Sequence, residues 1–182
     1  EDIKETYSYV SNKLKQFDLD ISADGTIDSS TIYTYDSEGN LSNYEIDKNS
    51  DGEPDSVASY TYDNDIVTSF VEDNDNNGIP NLIIAYAYDE HGNRISHSID
   101  MSIEGMPNTL STFEYDDNNN PISYQLDKNI DGTPDYIDAS AYDKNGKRTR
   151  YSRDLDADGK WDIVTQYFYD DNGNRIRMIE DS

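Results

Sequence analysis

Six short acidic segments carry the residues of this chain that could do chemistry. Each has Asp at position 1, Asp, Asn or Ser at position 3, Asp, Glu or Asn at position 5, Gly at position 6 and Asp or Asn at position 9. Oxygen-bearing side chains at alternate positions of a tight turn converge on one point. Ca²⁺ accepts roughly 6–8 oxygen ligands in irregular geometry, whereas Mg²⁺ demands a near-ideal octahedron. The frame therefore predicts calcium-binding loops and up to six bound ions.

The predicted ligands occupy positions 1, 3, 5, 7 and 9 of each loop, with the backbone carbonyl serving at position 7. They are Asp20, Ser22, Asp24, Thr26, Asp28; Asp47, Asn49, Asp51, Glu53, Asp55; Asp73, Asp75, Asn77, Ile79, Asn81; Asp100, Ser102, Glu104, Met106, Asn108; Asp127, Asn129, Asp131, Thr133, Asp135; and Asp154, Asp156, Asp158, Lys160, Asp162. A full EF-hand also needs a bidentate Glu at position 12, and no loop has one. A strand, not a helix, is expected after each loop, so a calmodulin-like sensor is excluded.

The loops differ in the number of carboxylates that they offer. The sixth has four, the first, second and fifth have three each, and the third and fourth have two each. Glu104 of the fourth loop is also a long side chain in a tight turn. Because calcium affinity follows ligand charge, we expect the third and fourth sites to be weak or empty.

Composition excludes several classes of function. The net charge of −25 repels nucleic acid and anionic membrane surfaces. No apolar run approaches the roughly 20 residues of a membrane-spanning helix. The chain has no cysteine and only two histidines, His91 and His97, which we interpret as a turn residue and an aromatic-column substitute. No nucleophile–base pair stands out, so we expect no enzyme. The sequence lacks an initial Met and a signal peptide, which suggests an excised or mature fragment.

The elements that position the loops form a repeat of 26 or 27 residues. About 15 residues after each loop begins comes a tyrosine, usually followed by Asp and a Gly-Asn type turn signal. The flanking segments are rich in β-branched and aromatic residues, which is typical of strands. We predict an all-β fold of tandem hairpins in an antiparallel meander that is curved or spiral, with the calcium loops along one edge. Closure into a propeller or a barrel is the alternative. The whole chain, 1–182, is one array, with a partial unit at 1–19 and six units that start at 20, 47, 73, 100, 127 and 154.

Aromatic residues recur at fixed places in this repeat. The outgoing strand carries Tyr-x-Tyr, as in Tyr60 and Tyr62, and the return strand has an aromatic residue three positions before each loop, as at Phe70. Residues two apart share a strand face, so the sequence predicts one aromatic face. Residues 3–17 also show helical spacing, but the repeat favours a hairpin there.

Two resemblances follow from these motifs. The segments Tyr88–Arg94 and Tyr169–Arg175 resemble the YD repeat of bacterial Rhs-type surface and toxin proteins, which implies β-hairpins wound into an extended curved sheet. The loop Asp47–Asp55 resembles the calcium loops of thrombospondin type 3 repeats and of FG-GAP blades.

The expected function is structural: a calcium-stabilised repeat module of a secreted or cell-surface bacterial protein, acting as a stalk, spacer or adhesin scaffold. Millimolar extracellular calcium suits such sites. A calcium-dependent carbohydrate-binding module is the alternative, and Trp161 is its one non-periodic aromatic candidate. Besides Ca²⁺ and neighbouring repeats of a longer chain, a glycan or a protein on the cell surface remains open as a partner.

Overall fold

The chain is built from β-strands joined by short connections. A computed structural model describes residues 3–101 and 107–182, and within those ranges it contains no helix, hence no helix able to span a membrane. The strands are β1 (Lys4–Val10), β2 (Lys13–Asp20), β3 (Ser29–Tyr35), β4 (Leu41–Asp47), β5 (Ser56–Asp63), β6 (Ile66–Asp73), β7 (Leu82–Tyr88), β8 (Arg94–Asp100), β9 (Thr109–Tyr115), β10 (Pro121–Asp127), β11 (Tyr136–Tyr142), β12 (Arg148–Asp154), β13 (Ile163–Tyr169) and β14 (Arg175–Asp181).

The strands form one antiparallel sheet in which they are hydrogen-bonded in sequence order from β1 to β14. The predicted all-β hairpin meander is confirmed. The sheet is open, with β1 and β14 at its two ends, so closure into a propeller or a barrel is wrong. The helical spacing over residues 3–17 does not produce a helix, and the hairpin favoured by the repeat forms instead. β1 pairs with β2 through a turn at Ser11 and Asn12, whose φ angles are 51° and 63°.

The Tyr-Asp turns close one end of the hairpins. In the first complete turn, the Asp36 amide donates to the Asn40 carbonyl at 2.9 Å, and the Asp36 carboxylate accepts the amides of Gly39 and Asn40 at 2.6 and 2.7 Å. Gly39 has φ of +96°, a left-handed conformation that glycine adopts without steric cost. Hydrogen bonds from the turn amides hold the pKa of the corresponding aspartate low in later repeats, as at Asp116 and Asp143.

Contacts divide the chain into two compact units, Glu1–Ala85 with Asp100–Met106, and Tyr86–Ile99 with Pro107–Ser182. In the first unit, Tyr33 lies opposite Tyr44, with ring centroids 6.5 Å apart, and Tyr60 lies opposite Phe70 at 4.9 Å. The aromatic face predicted from the repeat is therefore present. These rings are half-buried, and Ala58 is the one fully buried hydrophobic residue in the described part of the chain.

The second unit repeats this arrangement. Phe113 lies opposite Tyr124, with centroids 5.1 Å apart, and Tyr86 stacks on His97 at 5.5 Å and 14°. His97 therefore substitutes for an aromatic ring as predicted, and its burial lowers its pKa. The opposite face carries small residues such as Ala87 and Ala141, and these are exposed.

Candidate metal centre

The acidic loops share one backbone scaffold. In each loop, the amide of the position 9 residue donates to the carbonyl of the residue before position 1. The donor–acceptor pairs are Asp28–Leu19 (2.8 Å), Asp55–Ile46 (2.8 Å), Asn81–Glu72 (2.8 Å), Asn108–Ile99 (2.6 Å), Asp135–Leu126 (2.7 Å) and Asp162–Arg153 (2.8 Å). This bond fixes the two ends of every loop against the strands, so positions 1 and 9 are brought together.

The position 1 aspartate is held inside the loop by backbone amides. Asp154 is only 2% exposed, and its carboxylate accepts the amides of Asp158 at 3.2 Å and Gly159 at 2.9 Å. The Gly amide makes the same bond to Asp20 in the first loop, at 2.9 Å. The Gly bond recurs in all five loops that the structure describes throughout.

Positions 5 and 9 are fixed in the same way. In the sixth loop, the Asp162 carboxylate accepts the Leu155 amide at 2.7 Å, and the Asp158 carboxylate accepts the Lys160 amide at 2.8 Å. The equivalent position 5 bond in the first loop, from Thr26 to Asp24 at 2.8 Å, is the main reason that the pKa of Asp24 is lowered. Backbone hydrogen bonds lower the pKa of Asp24 and of Asp158, so both are ionised at neutral pH, and the Leu155 amide orients the Asp162 carboxylate as well.

The loop backbone passes twice through the left-handed region. Position 6 is Gly, with φ between +86° and +95° in the five fully described loops. Position 4 is also left-handed, with φ of 52° at Ala23 and 54° at Ala157, although neither is Gly. Sequence reasoning missed this second turn, because residue type at position 4 varies and carries no signal.

The sixth loop brings three of its predicted ligands into one cluster. Carboxylate oxygens of Asp154, Asp156 and Asp162 all lie within 4.8 Å of one another, and no other acidic or histidine group meets that criterion among the described residues. Hard anionic oxygens at this spacing fit a divalent cation such as Ca²⁺. Asp158, the fourth predicted carboxylate, is instead 3.1 Å from the Lys160 ammonium through its second oxygen.

The other loops hold their predicted ligands in related positions. In the second and fifth loops, the position 3 amide nitrogens of Asn49 and Asn129 donate to the position 5 carboxylates at 3.0 and 3.1 Å. In the third loop, the amide of Asn77 donates to Asp75 at 2.8 Å. Ser102, Glu104 and Met106 of the fourth loop lie outside the described residues.

Trp161 adjoins the acidic cluster of the sixth loop. It occupies position 8, directly before Asp162, and is 42% exposed. It is the single tryptophan of the chain, so its fluorescence reports on this loop alone.

A polar cluster on the aromatic face was missed by sequence reasoning. Asp138 accepts the hydroxyls of Tyr136 and Tyr151, both at 2.7 Å, and the Arg153 Nε lies 3.2 Å from it. Burial and the bond to Asp138 raise the pKa of Tyr136 and of Tyr151.

The signal for this cluster was a pair of departures from the repeat. Asp138 stands where other units have Thr, Ala, Ile or Ser, and Arg153 stands where they have Leu, Ile or Glu. The two residues are direct partners across β11 and β12. Two simultaneous departures that place opposite charges at paired positions indicate a contact.

Comparison with known proteins supports the fold. No protein-family model matches the sequence, and no curated protein matches it. A crystal structure of TcdB2-TccC3-TEV is similar over 98% of this chain, with a TM-score of 0.67 and 17% identity. The Photorhabdus luminescens Tc holotoxin pore is similar over 99%, with a TM-score of 0.61 and 13% identity. A crystal structure of TcdB2-TccC3 gives 0.60 and 13%.

The likeness covers a small part of those proteins. This chain spans only 9%, 10% and 11% of the three matched chains, respectively. At such identities the likeness shows a shared β-hairpin array. This agrees with the part of the YD-repeat resemblance that concerns the fold.

Proposed function

We propose that this chain is a structural repeat segment of a large extracellular bacterial protein and that its acidic loops bind Ca²⁺. The sheet supplies rigidity, and the ions neutralise the loops that join successive hairpins. Toxin-complex chains of similar fold and the motif resemblance to Rhs-type proteins support a place in the wall of such an assembly.

The observation that carries the calcium proposal is the cluster in the sixth loop. Asp154, Asp156 and Asp162 converge while backbone amides hold Asp154 and Asp162 in place. Three carboxylates with oxygens within 4.8 Å of one another repel, and a cation bound between them offsets that repulsion. Ca²⁺ matches their oxygen chemistry and irregular geometry, and water completes the ligand shell.

The thin sheet explains why the ions matter for the fold. Most aromatic side chains are half-buried, and the opposite face is largely exposed, so apolar burial is modest. Against this, the chain carries a net charge of −25. Six divalent ions offset about half of that charge, and they do so in the loops where the carboxylates are concentrated.

Calcium titration of the purified chain tests the proposal. Calorimetry should give saturable binding in the millimolar range or tighter, and Trp161 fluorescence should change as the sixth loop fills. Replacing Asp156 and Asp162 together with Asn should abolish the fluorescence change. The matched control replaces Asp170 and Asp171 of the neighbouring turn with Asn, which removes the same charge and should leave the change intact.

Two results would contradict calcium binding. One is the absence of binding heat in calorimetry even when the Ca²⁺ concentration is raised 10-fold above the millimolar range. The other is an equal response to Mg²⁺ at the same concentration, which indicates charge screening without a specific ligand shell.

A further inference from the structure

A row of alternating guanidinium groups and aromatic rings crosses the second unit on its aromatic face. The arginine–tyrosine row consists of Arg153, Tyr151, Arg148, Tyr167 and Arg175, on strands β12 to β14. The Tyr151 ring has the Cζ of Arg153 at 5.2 Å and that of Arg148 at 5.0 Å from its centroid. The Tyr167 ring has Arg148 at 5.2 Å and Arg175 at 5.8 Å. These distances are those of cation–π contacts, which fix the guanidinium groups over the rings.

Two of these three arginines have no acidic partner in the part of the chain that the structure describes. Arg148 donates one hydrogen bond, at 3.4 Å, to the Tyr167 hydroxyl, and Arg175 makes only its ring contact. Both side chains are exposed. A guanidinium carries five N–H donors, so most donors of this pair face solvent. In a chain with a net charge of −25, this is a cationic patch that the protein itself leaves unneutralised.

At the other end of the row, tyrosine hydroxyls and an arginine bind a carboxylate of the chain itself. There, Asp138 accepts two tyrosine hydroxyls at 2.7 Å and lies 3.2 Å from the Arg153 Nε. In the next repeat, Thr165 and Glu180 stand at the positions of Asp138 and Arg153, and the Thr165 hydroxyl donates to the Glu180 carboxylate at 3.3 Å. Arg148, Tyr167 and Arg175 lie nearer the turn end of the strands and offer donors of the same kind, and no carboxylate bonds to them among the described residues.

We propose that Arg148, Tyr167 and Arg175 bind a carboxylate side chain from an acidic polypeptide segment of a partner. Arginine guanidinium groups bind carboxylates through paired hydrogen bonds. The Tyr167 hydroxyl accepts a hydrogen bond from Arg148, so its own proton is available to donate to the same carboxylate. A short acidic peptide satisfies this site with one or two charges. A nucleic acid brings a continuous polyanion against a chain of the same sign.

The acidic loops lie too far away to oppose such binding. Arg148 and Arg175 begin their strands at the turn end, and a seven-residue strand is about 20 Å long. That length exceeds two Debye lengths of about 8 Å at physiological ionic strength. The negative field of the loops is therefore largely screened at Arg148 and Arg175, which lie at the far end of the row from Arg153.

Fluorescence anisotropy with a labelled eight-residue peptide of alternating Glu and Ser tests this proposal, using the full chain in millimolar calcium. The R148Q/R175Q variant should bind at least 10-fold more weakly than the unsubstituted chain. The matched control is R150Q/R177Q, which removes the same charge from the same two strands on the opposite face, where Arg150 pairs with Ala141 and Arg177 lies over Phe168. This control should bind as the unsubstituted chain does.

A second variant distinguishes a loss of binding from a loss of folding. R148K/R175K keeps both charges but loses the planar fork, and it should bind with intermediate affinity while its circular dichroism matches that of the control. The proposal is overturned if the unsubstituted chain does not bind the peptide, or if the control loses affinity equally. It is also overturned if inorganic tripolyphosphate or a single-stranded oligonucleotide binds more tightly than the peptide at equal ionic strength, which assigns the row to phosphate.

Discussion

In at least four of the six Tyr-Asp motifs, the tyrosine hydroxyl bonds its repeat to the one before it, and a Tyr→Phe substitution removes that contact by deleting a single oxygen atom. The hydroxyl of Tyr62 donates to the carbonyl of Leu41 at 2.8 Å, where Leu41 begins the return strand of the previous hairpin. Tyr35, Tyr115 and Tyr169 make the same bond, each to a carbonyl 21 residues earlier, at 2.9, 3.1 and 2.8 Å. We call these four bonds the tyrosine clasps.

Replacing the four tyrosines with Phe should destabilise the chain by an additive amount. A net hydrogen bond contributes about 0.5–1.5 kcal/mol, and distant sites act independently. The quadruple variant should therefore lose about 2–6 kcal/mol, whereas Tyr62→Phe alone should lose about 0.5–1.5 kcal/mol. The ring and its packing remain, so the loss reports the hydroxyl bonds.

Denaturant unfolding followed by circular dichroism measures this loss as a shift in midpoint. Tyr9→Phe is the matched control, because Tyr9 holds the same frame position but is 61% exposed and donates no hydrogen bond within the described residues. It should leave the midpoint unchanged. A quadruple variant as stable as the unsubstituted chain, or a Tyr9→Phe shift as large as that of Tyr62→Phe, would refute the reasoning.

Three further predictions concern the other parts of the sheet. Burial and the bond to Asp138 raise the pKa of Tyr136 above its usual 10.0, so the folded state holds its proton more tightly than the unfolded chain does. The contribution of Tyr136 to stability should therefore be constant below pH 10 and fall above it, and the pH dependence of unfolding in the alkaline range checks this, with Tyr136→Phe reducing the fall. Asp138→Ala should cost about 1–3 kcal/mol of stability, because it removes the carboxylate that accepts from Arg153 and from two tyrosine hydroxyls. The double variant Asp138→Thr with Arg153→Leu restores residue types found in other repeats and should recover most of the lost stability. No recovery would contradict the pairing of Asp138 with Arg153. Tyr60→Ala should cost about 1.5–2.5 kcal/mol, half the value for a fully buried aromatic, and the calcium stoichiometry measured by calorimetry should stay unchanged.

The repeat made most of the fold predictable. The acidic frame marks one end of every hairpin and the Tyr-Asp turn marks the other, so strands such as β5 and β9 could be placed between them. Register followed as well, since the Tyr-x-Tyr column and the aromatic position of the return strand had to face each other, as Tyr60 and Phe70 do.

The contacts between repeats were less accessible to prediction. The tyrosine clasp depends on how far one hairpin is offset from the next, which no local pattern encodes, and a hydroxyl bonding to a backbone carbonyl leaves no trace in the type of its partner. How closely the carboxylates of one loop approach one another could not be predicted either. The sixth loop gathers Asp154, Asp156 and Asp162, but Asp158 bonds to Lys160, a position that the frame treats only as a source of a carbonyl.

The sequence-ordered pairing of the strands has a consequence for the kinetics of folding. Each strand pairs with the strand before it and the strand after it, so no step of folding must close a long loop of disordered chain. Proteins with such local topology fold quickly for their size and can nucleate at any hairpin. A chain of this design can therefore acquire its structure progressively, hairpin by hairpin, as it leaves a ribosome or a secretion channel, without waiting for its last residue.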